Sequence, residues 1–458
     1  MTESVSNEKR IARRTILSGA VMLGGGAAIS AAVPSLALTA ADAAIASSGQ
    51  LAPIAGSGLP GNTAGAAEST AGRMKFSREF LSNKVFQDLA LNFDRADVAR
   101  VDSKLLETGA VVQPNGDILF RIFAPQAKDV TLKFQLVRDG QLVLKKNEEG
   151  VFEGLLGWEE DHTGPMNVVV YVDGMDFLYP QMPIHWSTSR PRNFIEVPDT
   201  DMEFMLIKDV PHGAMSREIF WADAIQSWER CGVYTPPGYM KSSREYPVLY
   251  LQHGGGENEL VWGYCGRVAH ILDNLIAAGK AEPFIVVMNN GMLRYSGNPS
   301  TVIDDALERI LIESCIPHIE KNYRVKTGKW NRTISGLSMG CMQTCDIAFR
   351  HPELFGNLGS LNASMTHDRE SFNTTYERPY PKVLKDREKF ARDYKVYFRS
   401  TIPVEDHFDY FLADDKLCAD AGIDTLPGYR RIVYPKRTSR WNGWRMGLRD
   451  FAQMLFKA

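Results

Sequence analysis

Past Pro198 the rhythm of the apolar residues changes, and that change limits what this chain can fold into more than any other feature. Before it, short runs alternate apolar and polar residues with a period of two: Ile118-Leu119-Phe120-Arg121-Ile122-Phe123, Val130-Thr131-Leu132-Lys133-Phe134, residues 141–144 and residues 168–172. Gly116, Asp139-Gly140, residues 147–150 and Asp173-Gly174 interrupt them at the spacing of a small antiparallel sandwich. After Pro198, continuous apolar runs at 246–252 and 283–288 alternate with amphipathic stretches at 268–278 and 306–322. A strand that is apolar on both faces must be covered on both, so this half reads as a doubly wound parallel sheet between helices. Residues 331–336, 355–361, 395–398 and 431–434 supply further strands, and 444–456 a closing helix. The expected organisation is an all-β sandwich over 101–200 followed by an α/β domain over 201–458.

Ahead of these lie a leader and a linker. Lys9, Arg10, Arg13 and Arg14 precede a weakly apolar, Ala- and Gly-rich run at 16–38, and Ala41-Asp42-Ala43 follows as an export-peptidase pattern. Arg13-Arg14-Thr15-Ile16-Leu17 gives this leader the twin-arginine form, so residues 1–43 are expected to be a twin-arginine signal peptide. The mature protein is then periplasmic or secreted. Gly24-Gly25-Gly26 and Pro34 make a poor spanning helix, so no stable membrane insertion is expected after cleavage. Residues 44–100 read as a linker of small and polar residues and then a lead-in helix around Phe76, Phe80 and Phe86.

Composition narrows the partners. A net charge of −3 with both signs interspersed offers no nucleic-acid surface. The six cysteines show no C-x-x-C and no closely spaced histidine, so no metal centre is expected. Cys341 and Cys345, four apart on one helix, read as two small buried hydrophobes.

The chemistry concentrates in two motifs. Gly336-Leu337-Ser338-Met339-Gly340 follows the strand at 331–336 and precedes an apolar helix, the strand–turn–helix context that leaves a serine oxygen exposed at a helix N-terminus. The N–H of Met339 and the helix dipole would favour a developing oxyanion there. His253-Gly254-Gly255-Gly256, straight after the buried strand at 246–252, supplies a glycine loop whose N–H groups at Gly254 or Gly255 can provide a second donor. His253 itself fits a hydrogen-bonded loop histidine.

These motifs, together with Tyr250-Leu251-Gln252, Gly266-Arg267-Val268-Ala269, Asp273-Asn274-Leu275-Ile276-Ala277 and the ending Trp441-x-x-Trp444-Arg445, resemble the esterase family of feruloyl, acetyl xylan and enterochelin esterases over about residues 205–456. The resemblance implies an α/β-hydrolase fold and the release of acyl groups from polysaccharide or small-molecule esters, with no cofactor. At 120–125 and 171–180 the sandwich resembles the immunoglobulin-like modules that precede catalytic domains in glycan-active enzymes. Carbohydrate contact and plain packing against the α/β domain are both open for it, with Trp158, Tyr179 and Trp186 as stacking candidates.

One departure stands against the resemblance. The family places its catalytic histidine five residues before the last tryptophan of this ending, which is Ser439 here, and serine is no base near neutral pH. Asp406 matches the family's acid. His407, the last histidine of the chain, adjoins that acid loop and is the credible replacement base; His367 is a weaker one, and His351 fits a helix cap. Two readings follow: a serine esterase rebuilt around Ser338, Asp406 and His407, or a non-catalytic relative that keeps the pocket and binds glycans or esters.

Overall fold

The computed structural model describes residues 108–135, 140–160, 162–187, 189–292, 306–361, 380–403, 408–435 and 440–457. The expected signal peptide, linker and lead-in helix lie outside the described residues, as do Asp406, His407, His367 and Ser439. Among the described residues, no helix is long and apolar enough to cross a membrane.

Among the described residues, the period-two half forms ten strands: β1 (Gly109–Val112), β2 (Ile118–Phe123), β3 (Val130–Gln135), β4 (Gly140–Val143), β5 (Lys145–Lys146), β6 (Val151–Leu156), β7 (Gly164–Val172), β8 (Met175–Phe177), β9 (Ile184–Ser187) and β10 (Arg190–Val197). They make two antiparallel sheets, β1-β2-β6-β5 and β4-β3-β7-β10-β9, with β8 paired to β7. Strict alternation along β2 and β3 sends Ile118, Phe120, Ile122, Val130, Leu132 and Phe134 into one core. Tyr179 and Trp158 serve that sandwich and not a sugar. Tyr179 is buried, with its hydroxyl on Thr108 Oγ1 and the Phe123 N–H, and Trp158 Nε1 donates to the Pro198 carbonyl while its ring packs on the core. Trp186 is exposed.

The second half builds one eight-stranded sheet from β11 (Ala214–Ala222), β12 (Ser227–Thr235), β13 (Val248–Gln252), β14 (Ile285–Asn289), β15 (Arg332–Leu337), β16 (Asn357–Leu361), β17 (Val396–Thr401) and β18 (Tyr429–Val433). Their spatial order is β11-β12-β14-β13-β15-β16-β17-β18. All pairs from β14 to β18 are parallel, but β11 and β12 form an antiparallel hairpin on one edge, and β12 meets β14 antiparallel. That edge is the one departure from an all-parallel expectation. The helices that matter below are α1 (Val268–Ala277), α2 (the consecutive segments Ala306–Arg309, Ile310–Cys315 and Ile316–Asn322), α3 (Met339–Arg350), α4 (Phe408–Asp420) and α5 (Arg440–Ala452).

Alternate residues of each central strand feed different layers. Val248 and Tyr250 of β13 pack with Leu307, Ile310 and Ile319 of α2 and with Cys345 and Phe349 of α3. Leu249 and Leu251 of the same strand pack with Ile271 and Leu272 of α1 and with Leu448 and Phe451 of α5. The sheet is therefore doubly wound, as a strand apolar on both faces requires. Cys341 and Cys345 are buried thiols among these side chains, 3.9 Å apart, and all six cysteines are free.

Sandwich and sheet meet through buried polar groups. Arg445 of α5 makes a two-pronged pair with Glu196 of β10, at 2.7 and 3.0 Å, and Asn442 Nδ2 donates to Thr163 Oγ1 and Asp199 Oδ2. Between them Cys265 Sγ lies 3.0 Å from His185 Nδ1, and His185 Nε2 meets Asn167 Oδ1. This Cys-His-Asn row looks like a thiol triad but is sealed: burial pushes the thiol well up and lowers the imidazole to about 3, so both stay neutral.

Candidate active site

Ser338 sits between β15 and α3 with φ 49° and ψ −123°, a backbone conformation rarely tolerated by a residue with a side chain. Such a residue stores about 1–3 kcal/mol, held in place by its surroundings. Both flanking glycines are required here. A Cβ on Gly336 would run into the backbone of Gly340, and one on Gly340 into the carbonyl of His253. The turn therefore closes only with hydrogen at both positions, and it lifts Ser338 into a half-exposed position at the N-terminus of α3.

The glycine loop lies directly against it. A Cβ built on Gly254 would come 3.3 Å from Ser338 Cβ and 3.4 Å from Glu257 Oε2. His253 organises the loop. Its Nε2 accepts the Gly291 N–H at 2.8 Å, so its proton sits on Nδ1 and is donated to the Gly254 carbonyl at 2.7 Å. Burial lowers its pKa to about 4, and it stays neutral near pH 7 as a brace between the loops after β13 and β14.

The two glycines differ in what they can offer. The Gly254 N–H donates to Glu257 Oε2 at 2.9 Å and is already engaged. Among the described residues no partner takes the Gly255 N–H, and a Cβ there would meet nothing within 4 Å. Likewise the Met339 N–H opens the first turn of α3, where the helix itself provides no acceptor. Sequence reasoning missed Glu257. It is 7% exposed, and burial raises its carboxyl to about 8 against the opposing pull of the Gly254 N–H.

A small apolar wall adjoins the serine: Met339 and Met342 of α3 pack with Met292, whose sulfur accepts the Gly256 N–H at 3.3 Å. A surface cavity of about 640 Å³ lies elsewhere, lined by Pro247, Pro283, Asn331, Asn357 and Lys395, residues at or ahead of the N-terminal ends of β13 to β17. Ligands of parallel sheets bind at the opposite, C-terminal ends, where Ser338 sits.

The described histidines are committed to other partners. His351 caps α3 and meets Glu308 and Glu353, His318 meets Glu218, and His162 meets Glu159. Among the described residues none is hydrogen-bonded to Ser338. The segment with Asp406 and His407 falls between β17, seventh in the chain order of the large sheet, and α4. Ser439 immediately precedes α5, beyond the eighth strand, β18.

An eight-stranded sheet with its second strand antiparallel, its third and fourth exchanged in spatial order, and a strained serine after the fifth defines the α/β-hydrolase class. Residues 223–403 match the model of the family described as "Putative esterase", and over that stretch the chain carries the resemblance read from its motifs. It is 38% identical over 264 residues to an endo-1,4-beta-xylanase/feruloyl esterase of Xylanibacter ruminicola, 55% of this chain and 36% of that protein. It is 37% identical over 143 residues to an esterase of Mycobacterium tuberculosis, 30% of each chain. The match thus spans about a third of the length of these relatives. Among solved structures it is similar to the enterobactin esterase of Shigella flexneri, with a TM-score of 0.50 and 12% identity over 73% of this chain and 93% of that one, a likeness of fold.

Proposed function

We propose that this chain is an exported serine carboxylic-ester hydrolase acting on acylated carbohydrate or phenolic esters. The observation that carries the reading is the strained Ser338 at a helix N-terminus, facing a glycine loop with an open N–H. In the proposed reaction Ser338 Oγ attacks the ester carbonyl, and the N–H groups of Met339 and Gly255 receive the oxyanion, with Gly254 shaping the loop. His407 takes the serine proton and returns it to the leaving alcohol, oriented by Asp406. Water then repeats the cycle on the acyl-enzyme. Ser439 leaves the family's usual base position without a titrating group, so the proton path runs through the loop after β17. The relative named as a feruloyl esterase and the methionine wall of Met292, Met339 and Met342 both support an aromatic acyl group, since thioether sulfur contacts aryl rings favourably. The signal pattern at 1–43 supports export.

The test is fluorophosphonate labelling together with turnover of methyl ferulate and an aryl acetate. Wild type should label at Ser338 and turn over, and His407→Ala should lose about 10⁴-fold or more in turnover. Equally slow labelling of both proteins refutes the assignment of His407. It favours the second reading, a non-catalytic ester or glycan binder, which the commitment of His253, His318 and His351 to other partners supports. That reading expects ligand affinity unchanged by Ser338→Ala.

A further inference from the structure

We propose that His212, His270 and Asp273 form a binding site for a divalent transition-metal ion of the zinc class, where the connector between the domains crosses α1. His270 and Asp273 are three residues apart on α1 and so share one face of it. His212 arrives from the connector ahead of β11. Asn274, next along the helix, holds that connector, its Nδ2 donating to the carbonyls of Phe204 at 2.8 Å and Leu206 at 2.9 Å. One donor atom from each of the three side chains lies within 4.8 Å of the other two.

The donor set and its support are those a metal needs. Two imidazoles and a carboxylate suit zinc, cobalt or nickel, and the remaining coordination positions fall to water. Ligand atoms around a tetrahedral zinc stand about 3.4 Å apart, given bonds of roughly 2.0–2.1 Å. A small closing movement therefore suffices, and His212, with 44% of its side chain exposed on a loop, is free to make it. Asp273 is already oriented. Its Oδ1 accepts the Tyr234 hydroxyl at 2.7 Å and the Gly213 N–H at 3.0 Å, which leaves Oδ2 for the ion. In the metal-free arrangement Oδ2 lies 2.9 Å from His212 Nδ1. Outer hydrogen bonds of this kind fix ligating carboxylates in metal sites. The buried carboxylate gives the ion a negative partner, and the exposed imidazole gives it a way in. None of these residues belongs to the serine site, so the ion's effect falls on the connector, which it ties to α1.

Without an ion, the same groups amount to an ion pair between His212 and Asp273 that does not include His270. His270 therefore discriminates. The full chain, prepared without a histidine tag and dialysed against a chelator, would be titrated with Zn²⁺ by calorimetry and with Co²⁺ by visible absorption. The expected result is one ion per chain, a thermal midpoint that rises with Zn²⁺ concentration, and at least a tenfold loss of affinity in His270→Gln and in His212→Gln. Each variant's own metal-free melt sets its baseline, and the Zn²⁺-dependent rise above that baseline should be smaller in His270→Gln than in the wild type, which separates loss of the site from loss of the fold. Absence of a stoichiometric site, or Zn²⁺ affinity in His270→Gln equal to that of the wild type, overturns the proposal.

Discussion

Replacing Glu257 by Gln should raise stability by an amount that grows with pH. A carboxyl that titrates at about 8 when folded and at its ordinary 4.5 when unfolded keeps its proton in the native state over a window in which the unfolded chain has lost it. The unfolded state therefore binds fewer protons, and stability falls as pH rises through that window, by about 1.4 kcal/mol per unit. The fall starts near pH 4.5, ends near pH 8, and amounts to roughly 5 kcal/mol. Glutamine has the shape of the protonated acid, keeps an acceptor for the Gly254 N–H, and does not titrate. At pH 5 the two proteins should melt close together. By pH 8.5 the variant should lead by on the order of 10 °C, given a few degrees per kcal/mol for chains of this size. The assay is thermal unfolding in a constant-ionic-strength buffer series from pH 5 to 9. Activity gives an independent readout: an ionised Glu257 beside the oxyanion loop opposes a second negative charge, so wild-type turnover should decline above pH 8 while Glu257→Gln holds its rate. Melting curves that run parallel across the range, with an unchanged alkaline limb, would refute the reasoning.

Three further outcomes are expected. Ser338→Gly should abolish labelling yet stabilise the fold by about 1 kcal/mol, because glycine adopts the φ of 49° without strain; a lower melting temperature would show that the serine is not strained. Gly340→Ala should lower stability by roughly 1–3 kcal/mol and remove turnover, since the added methyl meets the His253 carbonyl; wild-type kinetics would contradict the tight turn. Arg445→Met removes the two-pronged cation from Glu196 and leaves it only Arg267, at 3.9 Å; it should cost about 1–3 kcal/mol in chemical denaturation, and the double variant Arg445→Met/Glu196→Gln should cost less than the sum of the two single variants.

Much of this fold was legible because the central strands advertise themselves. Runs such as Val248–Gln252 are apolar throughout, which only a covered strand tolerates, and the glycines around Ser338 mark a turn that no other residue can make. The edge hairpin was not legible, since β11 and β12 carry Met215, Ile219, Trp221 and Trp228 on an exposed face and so lack a clean polar alternation. The closing helix begins at Arg440, one turn ahead of the expectation, because Trp441, Trp444, Leu448 and Phe451 already share its buried face. Within the site, Ser338, Met339 and the glycine loop follow from local sequence. Glu257 did not, because its character comes from burial three residues beyond the glycine it engages, and an acid after a Gly-rich loop reads as solvated. The engagement of Gly254, which leaves Gly255 as the open donor, is likewise a matter of side-chain reach. The cluster of His212, His270 and Asp273 gave no signal, since its members are brought together by the connector and not by spacing.

The contact made by Asn442 and Arg445 has a practical corollary. Both belong to the first two turns of the helix that immediately follows position 439, and both anchor it to groups of the β-sandwich. Cutting the chain near residue 205 to isolate a minimal catalytic fragment would strip that helix of its moorings at the end nearest the pocket. The two modules are one inheritable piece, and a library that shuffles hydrolase cores between front-end modules would have to carry Thr163, Glu196 and Asp199 along with α5.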